Sequence, residues 1–403
     1  MQAAALEGLR VLDLTHAVAG PYCTKLLADF GAAVMKVERP PVGDLARRSG
    51  PFFHDLPHPE GSALFLHLNT NKQSVTLNLK SAEGQAIVRR LIPTVDIVVE
   101  NFRPGVLAAF GLDYASLVAL NPHLVLTSIS NFGQTGPYRD LKATEIVEYA
   151  MGGPMLITGH ATREPLKLAG HIAQYHAGSV AAYATMVALW KAEEHGGGDW
   201  IDISIYETQA ASRDRRSIYL TGYAYTGEVS KRQGGNLRPL LGARPTGEGY
   251  VSLTGAGTRL AGVLRMIGRE DLLEDPRFRD PASAGRPELL EEVEDLYQAW
   301  LLDQTKYQAV ARAQAVRVLA APVNTIADLF ADPHFRERAP WNQIDHPQTG
   351  LVTYPGRPFV MSDSPQRQPR PAPLLGEHTE AILCGQLKYA KKDLRRLAEQ
   401  GVI

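Results

Sequence analysis

Residues 11–38 read VLDLTHAVAGPYCTKLLADFGAAVMKVE, and the order of their elements decides the fold. Val11-Leu12-Asp13-Leu14 has the character of a short strand, and Gly20-Pro21 marks a break in the chain soon after it. Tyr22 to Phe30 carries helical spacing, and Ala33-Val34-Met35-Lys36-Val37-Glu38 reads as a second strand. The alternation continues outward. Ser74 to Leu79 alternates polar and apolar residues, and Ser81 to Leu91 opens with a Ser and an early Glu, a helix-start signal. Ile97-Val98-Val99 and Val125-Leu126-Thr127-Ser128-Ile129 are short apolar runs that suit buried strands. Strands and helices in this order predict an α/β fold with a mainly parallel sheet covered by helices on both faces. Ligands of such sheets lie beyond the carboxyl ends of the strands. Thr15-His16-Ala17-Val18, Glu38-Arg39 and Glu100-Asn101-Phe102 each come directly after a strand, so they are the first candidates for a binding site.

The pattern changes near residue 225, where Gly234-Gly235-Asn236 and Pro239 break the chain. A strand then starts at Gly249, and acidic helices come after it, including Glu288 to Leu302. We expect a large domain over 1–224, rejoined by 336–403, and a small domain over 225–335. A formal net charge of −1 argues against broad attraction to nucleic acid or an anionic membrane. Cys23 and Cys384 are the only cysteines, which excludes a disulfide scaffold and offers no zinc cluster, so no metal is expected. The first fourteen residues carry Glu7, Arg10 and Asp13 and lack the apolar stretch of a signal peptide. Ala177 to Trp190 is too short and too rich in Ala, Ser and Thr to span a bilayer. The expectation is a cytoplasmic protein. Neither a Gly-x-x-x-x-Gly-Lys loop nor a Gly-x-Gly-x-x-Gly after the first strand is present, so nucleotide hydrolysis and nicotinamide chemistry have no support. Gly196-Gly197-Gly198-Asp199 looks like a phosphate loop but reads better as a helix-to-strand turn.

Longer motifs add a resemblance. Leu6 to His16 with Ala19-Gly20-Pro21, Val34 to Arg39, Asn71 to Lys80, Glu100-Asn101-Phe102-Arg103-Pro104-Gly105 and Gly133-Gln134-Thr135-Gly136-Pro137 succeed one another in order. Ala321-Pro322-Val323 and Pro373 to Thr379 complete the series. Together they resemble the family III (CaiB/BaiF-like) CoA-transferases nearly end to end. The resemblance implies a Rossmann-like large domain, a smaller α/β domain and an interlocked homodimer. It also implies an acyl-CoA and a carboxylic acid as substrates, with no tightly bound cofactor. The CoA-contacting positions it implies are Ala17, Val18, Arg39, Leu77, Asn78, Leu79, Lys80, Asn101, Phe102 and Lys142. Their chemistry suits a phosphorylated nucleotide: Arg39 can fork onto phosphate oxygens, Lys80 or Lys142 can add point charge, and Leu77 and Leu79 can line an adenine slot. Arg39 read alone is equally a surface ion pair with Glu38 or Asp44, and Lys80 a solvated strand end.

The resemblance also implies a nucleophilic aspartate four residues before a glycine that opens a helix of small residues. That glycine is Gly178, so Gln174 stands in the nucleophile's place, and no Asp occurs between Asp140 and Asp199 to restore it. An amide cannot form the acyl anhydride of a carboxylate nucleophile. The related racemases use a His and an Asp, which would fall on Thr144 and Gln174, so both of those are missing too. The remaining titratable candidates are Glu145, which matches a carboxylate of some family members, and His171, with His176 nearby. The expected activity is CoA transfer through a non-standard centre. The alternatives are isomerisation, lyase chemistry or hydrolysis of an acyl-CoA on the same scaffold, or CoA binding without turnover.

Overall fold

The computed structural model describes residues 3–211, 216–229, 231–232, 238–279, 286–364 and 368–403, and Gly234-Gly235-Asn236 lie outside them. The chain forms two compact units. The larger holds Met1–Pro154, Lys167–Glu228 and Ala339–Ile403, and the smaller holds Met155–Leu166 and Val229–Arg338. The segment 155–166, expected from the sequence to run on with the large domain, is thus part of the smaller unit.

The larger unit is built on six parallel strands in the order β3-β2-β1-β4-β5-β6. They are β1 (Arg10–Asp13), β2 (Ala33–Glu38), β3 (Gln73–Thr76), β4 (Ile97–Glu100), β5 (Val125–Ser130) and β6 (Asp199–Ser204). This is the doubly wound order of a Rossmann-like sheet, whose crevice opens where the order reverses between β1 and β4. Successive residues of a strand face opposite sides of the sheet, and two cores result. Leu12, Met35, Val75, Val98 and Leu126 pack with Ile87, Val88 and Leu91 of helix α2 (Ala82–Leu91) on one side. Val11, Val34, Ile97, Val99 and Val125 pack on the other side with helices α1 (Ala19–Asp29) and α4 (Ile172–His195). Between α2 and α4 in the chain lies the short helix α3 (Glu145–Met151). Each fully buried Leu or Val contributes roughly 1.5–3 kcal/mol, so a sheet covered on both faces is far more stable than either half alone.

Two local signals held and two shifted. Ser81 caps α2 by accepting the Gly84 N–H at 3.0 Å, with Glu83 in the first turn and Arg89 and Arg90 in the last. Gly198 closes the α4–β6 turn, where a Cβ would sit 1.9 Å from the Leu124 carbonyl oxygen, just before β5 begins. The glycine run therefore lies at the amino end of the sheet, away from any ligand crevice. The strand expected over 74–79 stops at Thr76, because Asn78 turns away to accept the C-terminal segment, its N–H bonding Val402 O at 2.7 Å. Helix α4 begins at Ile172 rather than Gly178, which puts Gln174 inside its first turn.

The smaller unit has a three-stranded antiparallel sheet, β7 (Leu241–Pro245), β8 (Tyr250–Thr254) and β9 (Leu319–Pro322), packed on helices that include Pro287–Leu302. In the larger unit, Trp341–His346 pairs with Gly350–Pro355 as a hairpin, and Lys391–Glu399 forms the C-terminal helix.

Candidate active site

Beyond the carboxyl ends of β1, β2, β3 and β4 lies a pocket of about 350 Å³, within the usual range for small-molecule sites. Leu14, Val37, Leu77, Leu79, Phe102, Val106 and Phe110 give it an apolar interior, and Arg39, Arg48 and Lys80 stand on its wall. All three cations are exposed, and none makes an ion pair among the described residues. Their nearest acidic neighbours are already engaged. Glu38 is buried and receives Arg47 Nε at 2.7 Å and Nη2 at 2.8 Å, and Asp44 is buried 2.7 Å from Lys36 Nζ. The charge left over at the pocket is positive, which suits phosphate oxygens. Glu38 and Asp44 hold the wall in place instead: Asp44 accepts the Ala17 and Ala46 N–H groups at 2.9 and 2.8 Å.

Ala17, Val18 and Asn101 shape this pocket without lining it. Ala17 takes φ +67°, in the left-handed region, and the Asp44 bond holds it there. Val18 is buried at the start of α1. Asn101 accepts the His16 N–H at 2.9 Å and donates to His16 O at 2.8 Å, pinning the turn that carries His16 into the pocket wall. Glu100, at the end of β4, accepts the Phe102 N–H at 2.8 Å; burial pushes its carboxyl up to about 7 against that bond and one from Ser128. Leu77, Asn78, Leu79, Lys80 and Phe102 line the pocket. Lys142 is exposed and stands apart from it, between β5 and α3. Arg48 has no signal in the sequence: it sits on a 3-10 turn, not after a strand, so strand-end logic could not find it.

A second group of polar residues forms where α3, α4 and the end of β5 meet. Glu145 opens α3 and accepts the backbone N–H groups of Ala173 and Gln174 at 2.9 and 3.1 Å, while Lys167 Nζ lies 3.4 Å away. It satisfies donors that the first turn of α4 leaves unpaired. Gln174, half-buried, donates Nε2–H to Glu148 Oε2 at 2.7 Å. With the Asn131 amide nitrogen turned toward it, Glu148 Oε1 accepts a second bond at 2.9 Å. Glu148 has no exposed surface, and no cation pairs with it among the described residues. Burial pushes its carboxyl up to about 7; the Gln174 bond opposes this and the charge of Glu145 adds to it. His171 is exposed at the start of α4 and makes no capping bond, so it stands outside this group. One turn after Gln174, a Cβ on Gly178 would lie 2.5 Å from the Ala19 carbonyl oxygen. That close approach sets the first turns of α4 against the start of α1, three residues after the pocket-lining His16.

A Rossmann-order sheet with a cationic, apolar-floored pocket at its strand ends agrees with the sequence comparison, in which the model of CoA-transferase family III matches residues 6–379. The chain belongs to CoA-transferase family III. Among similar proteins, the succinyl-CoA–D-citramalate CoA-transferase of Chloroflexus aurantiacus is 36% identical over 407 residues, covering 99% of this chain and 98% of the relative. The succinate–glutarate CoA-transferase of Agrobacterium fabrum is 34% identical and covers 94% of each chain. A CaiB/BaiF family protein from Brucella suis has a solved structure that superposes with a TM-score of 0.83 at 32% identity, covering 95% of this chain and all of that one. This family III chain is an enzyme of the CoA-transferase type on a mixed α/β fold.

Glu148 is the residue of this family III member that sequence reasoning overlooked. It lies three residues after Glu145 on the same helix, so the two acids share a face. That spacing was a usable signal. What it could not convey is that one acid caps a neighbouring helix and the other is sealed against two neutral amides.

Proposed function

We propose that this protein moves CoA between an acyl-CoA and a free carboxylic acid, with short dicarboxylic acids as the substrate class. The observation that carries the reading is the pocket at the strand ends, where Arg39, Arg48 and Lys80, without an ion pair among the described residues, stand around an apolar interior. A 3′-phosphorylated ADP head needs both features: an apolar slot for the base and uncommitted cations for its phosphates. CoA enters as a substrate and leaves as a product, so no resident cofactor is required. The dicarboxylate class rests on the relatives, whose names pair succinyl-CoA or succinate with citramalate or glutarate, and formyl-CoA with oxalate.

In this reading the chemistry takes place at the α3–α4 group, with Gln174 where a nucleophile would stand and Glu145 holding the first turn of α4. The working form is a homodimer. Tyr183, Val187 and Trp190 support it: they are 72, 52 and 67% exposed and recur along one face of α4, an apolar stripe suited to a partner. We also assign the protein to the cytoplasm; no helix of the described residues is long and apolar enough to cross a membrane.

The test is direct. The purified protein is incubated with succinyl-CoA and, in turn, glutarate, citramalate, oxalate and acetate, and new acyl-CoA species are tracked by mass spectrometry. Formation of the acceptor's thioester with equimolar release of succinate is expected. Hydrolysis, isomerisation, or binding without turnover across the panel would overturn the transfer reading.

A further inference from the structure

We propose that Glu148, not Gln174 or Glu145, is the carboxylate that takes up first the acyl group and then CoA during CoA transfer; the inference rests on the transfer reading above. A reaction that passes CoA from one acid to another without loss to water must hold CoA in an activated bond to the enzyme between the two halves. An enzyme carboxylate does this, because its anhydride and its thioester are both at least as reactive as the substrate thioester.

The α3–α4 group contains two carboxylates and one amide. Gln174 is the amide, its nitrogen lone pair delocalised into the carbonyl, and it cannot be acylated and released in this way. Glu145 is committed: both oxygens accept backbone N–H groups of α4, at 2.9 and 3.1 Å, and Lys167 adds a charge at 3.4 Å. Drawing Glu145 away would strip the first turn of α4 of its partners. Glu148 has no such duty. Among the described residues its side chain touches no backbone N–H and no cation, and its two oxygens meet the side-chain amides of Gln174 and Asn131. A buried carboxylate held by neutral groups is a liability to folding, and a desolvated one is more reactive than a solvated one. Gln174 Nε2 covers Oε2 at 2.7 Å, so turning one side chain about its own bonds frees the oxygen that attacks.

The steps balance. Glu148 Oε2 attacks the thioester carbonyl carbon, the C–S bond breaks, and the CoA thiolate leaves, giving a mixed anhydride. The thiolate then attacks the glutamyl carbonyl carbon and expels the donor acid as its carboxylate, leaving a Glu148–CoA thioester. The acceptor carboxylate attacks that thioester and releases thiolate, forming a second anhydride. Finally the thiolate attacks the acceptor's carbonyl carbon, which yields the new acyl-CoA and regenerates the Glu148 carboxylate. No proton, oxidant or further reactant is consumed.

The experiment uses the full chain with succinyl-CoA alone, quenched with hydroxylamine or borohydride and mapped by peptide mass spectrometry. The expected product is a hydroxamate or a reduced side chain at residue 148, none at 145 or 174, and loss of the adduct in Glu148→Gln with a fall in turnover of more than about 10³-fold. Calorimetry with CoA reports whether Glu148→Gln is folded, since residue 148 is no part of the pocket wall. Should that variant fail to fold, the wild-type protein decides alone: the hydroxamate or reduced side chain must map to residue 148 and to neither 145 nor 174. Transfer activity with an adduct at another residue, or with none on Glu148 of the wild type, overturns this inference and leaves the transfer reading standing. Absence of both transfer and adduct overturns the two together.

Discussion

Arg39 and Arg47 lie eight residues apart in the sequence, and replacing each with alanine should have opposite consequences. Arg39 is exposed on the pocket wall and makes no ion pair among the described residues, because Glu38 is bonded to Arg47 and Asp44 to Lys36. Removing it breaks no ion pair or side-chain hydrogen bond of the described residues, so folding stability should move by no more than about 0.5 kcal/mol. If its guanidinium grips a CoA phosphate, the loss of a charge-assisted bond weakens binding by roughly 1.5–3 kcal/mol, or about 10- to 150-fold in Kd. Arg47 is fully buried: it forks onto Glu38, reaches Glu60 and Pro373 O, and stacks 3.6 Å from the centre of the Phe65 ring. Arg47→Ala strands the Glu38 carboxylate, 2% exposed, with only Ser74 Oγ and the Asp44 N–H for company. Breaking a buried pair from one side costs about 3–5 kcal/mol. Urea unfolding and CoA calorimetry on both variants separate the two roles, and the Arg39 effect should shrink as salt is raised. An Arg39→Ala protein that binds CoA as well as the wild type, or that is destabilised as much as Arg47→Ala, would refute this division.

Three other outcomes rest on particular contacts. Glu148 binds a proton more tightly folded than unfolded, with its pKa raised from 4.5 to about 7, so its contribution to stability is complete below pH 4.5 and is lost as pH rises through 7. The loss is at most about 3 kcal/mol; Glu148→Gln lacks it, so the variant's stability relative to wild type should improve between pH 5 and pH 8, and urea midpoints that stay parallel would exclude it. Gly84 allows α2 to start against the pocket wall, where a Cβ would lie 2.2 Å from the Asn78 carbonyl oxygen. Gly84→Ala should therefore cost about 1–3 kcal/mol and weaken CoA binding together, seen by unfolding and calorimetry, and a neutral result would show that the 77–80 segment yields freely. The apolar stripe of α4 predicts a dimer at micromolar concentration by light scattering and its disruption by Trp190→Glu; a monomeric wild type would refute it.

The sequence alone determined that the larger unit is a mainly parallel α/β sheet, because the signals are local. Strand periodicity, the Ser81 cap and the glycine punctuation act over a few residues and survive in any context that buries them. The strand-end rule pointed to His16, Arg39 and Phe102, which line one pocket because a parallel sheet brings its carboxyl ends together, whereas Leu77 to Lys80 were named only by the family resemblance. Which charges are free was decided only by the tertiary structure. Arg39 and Arg47 look alike in the chain, and Lys36 reads as one polar residue in a strand. Pairing depends on which acid the turn at 43–48 delivers to which base once the sheet has formed. Glu145 and Glu148 show the same limit. Their spacing sets both on one face of α3, but desolvation is a property of surroundings assembled from β5 and α4, far away in the sequence. Burial of that kind turns one of two identical side chains into a helix cap and the other into a sealed carboxylate poised near neutrality.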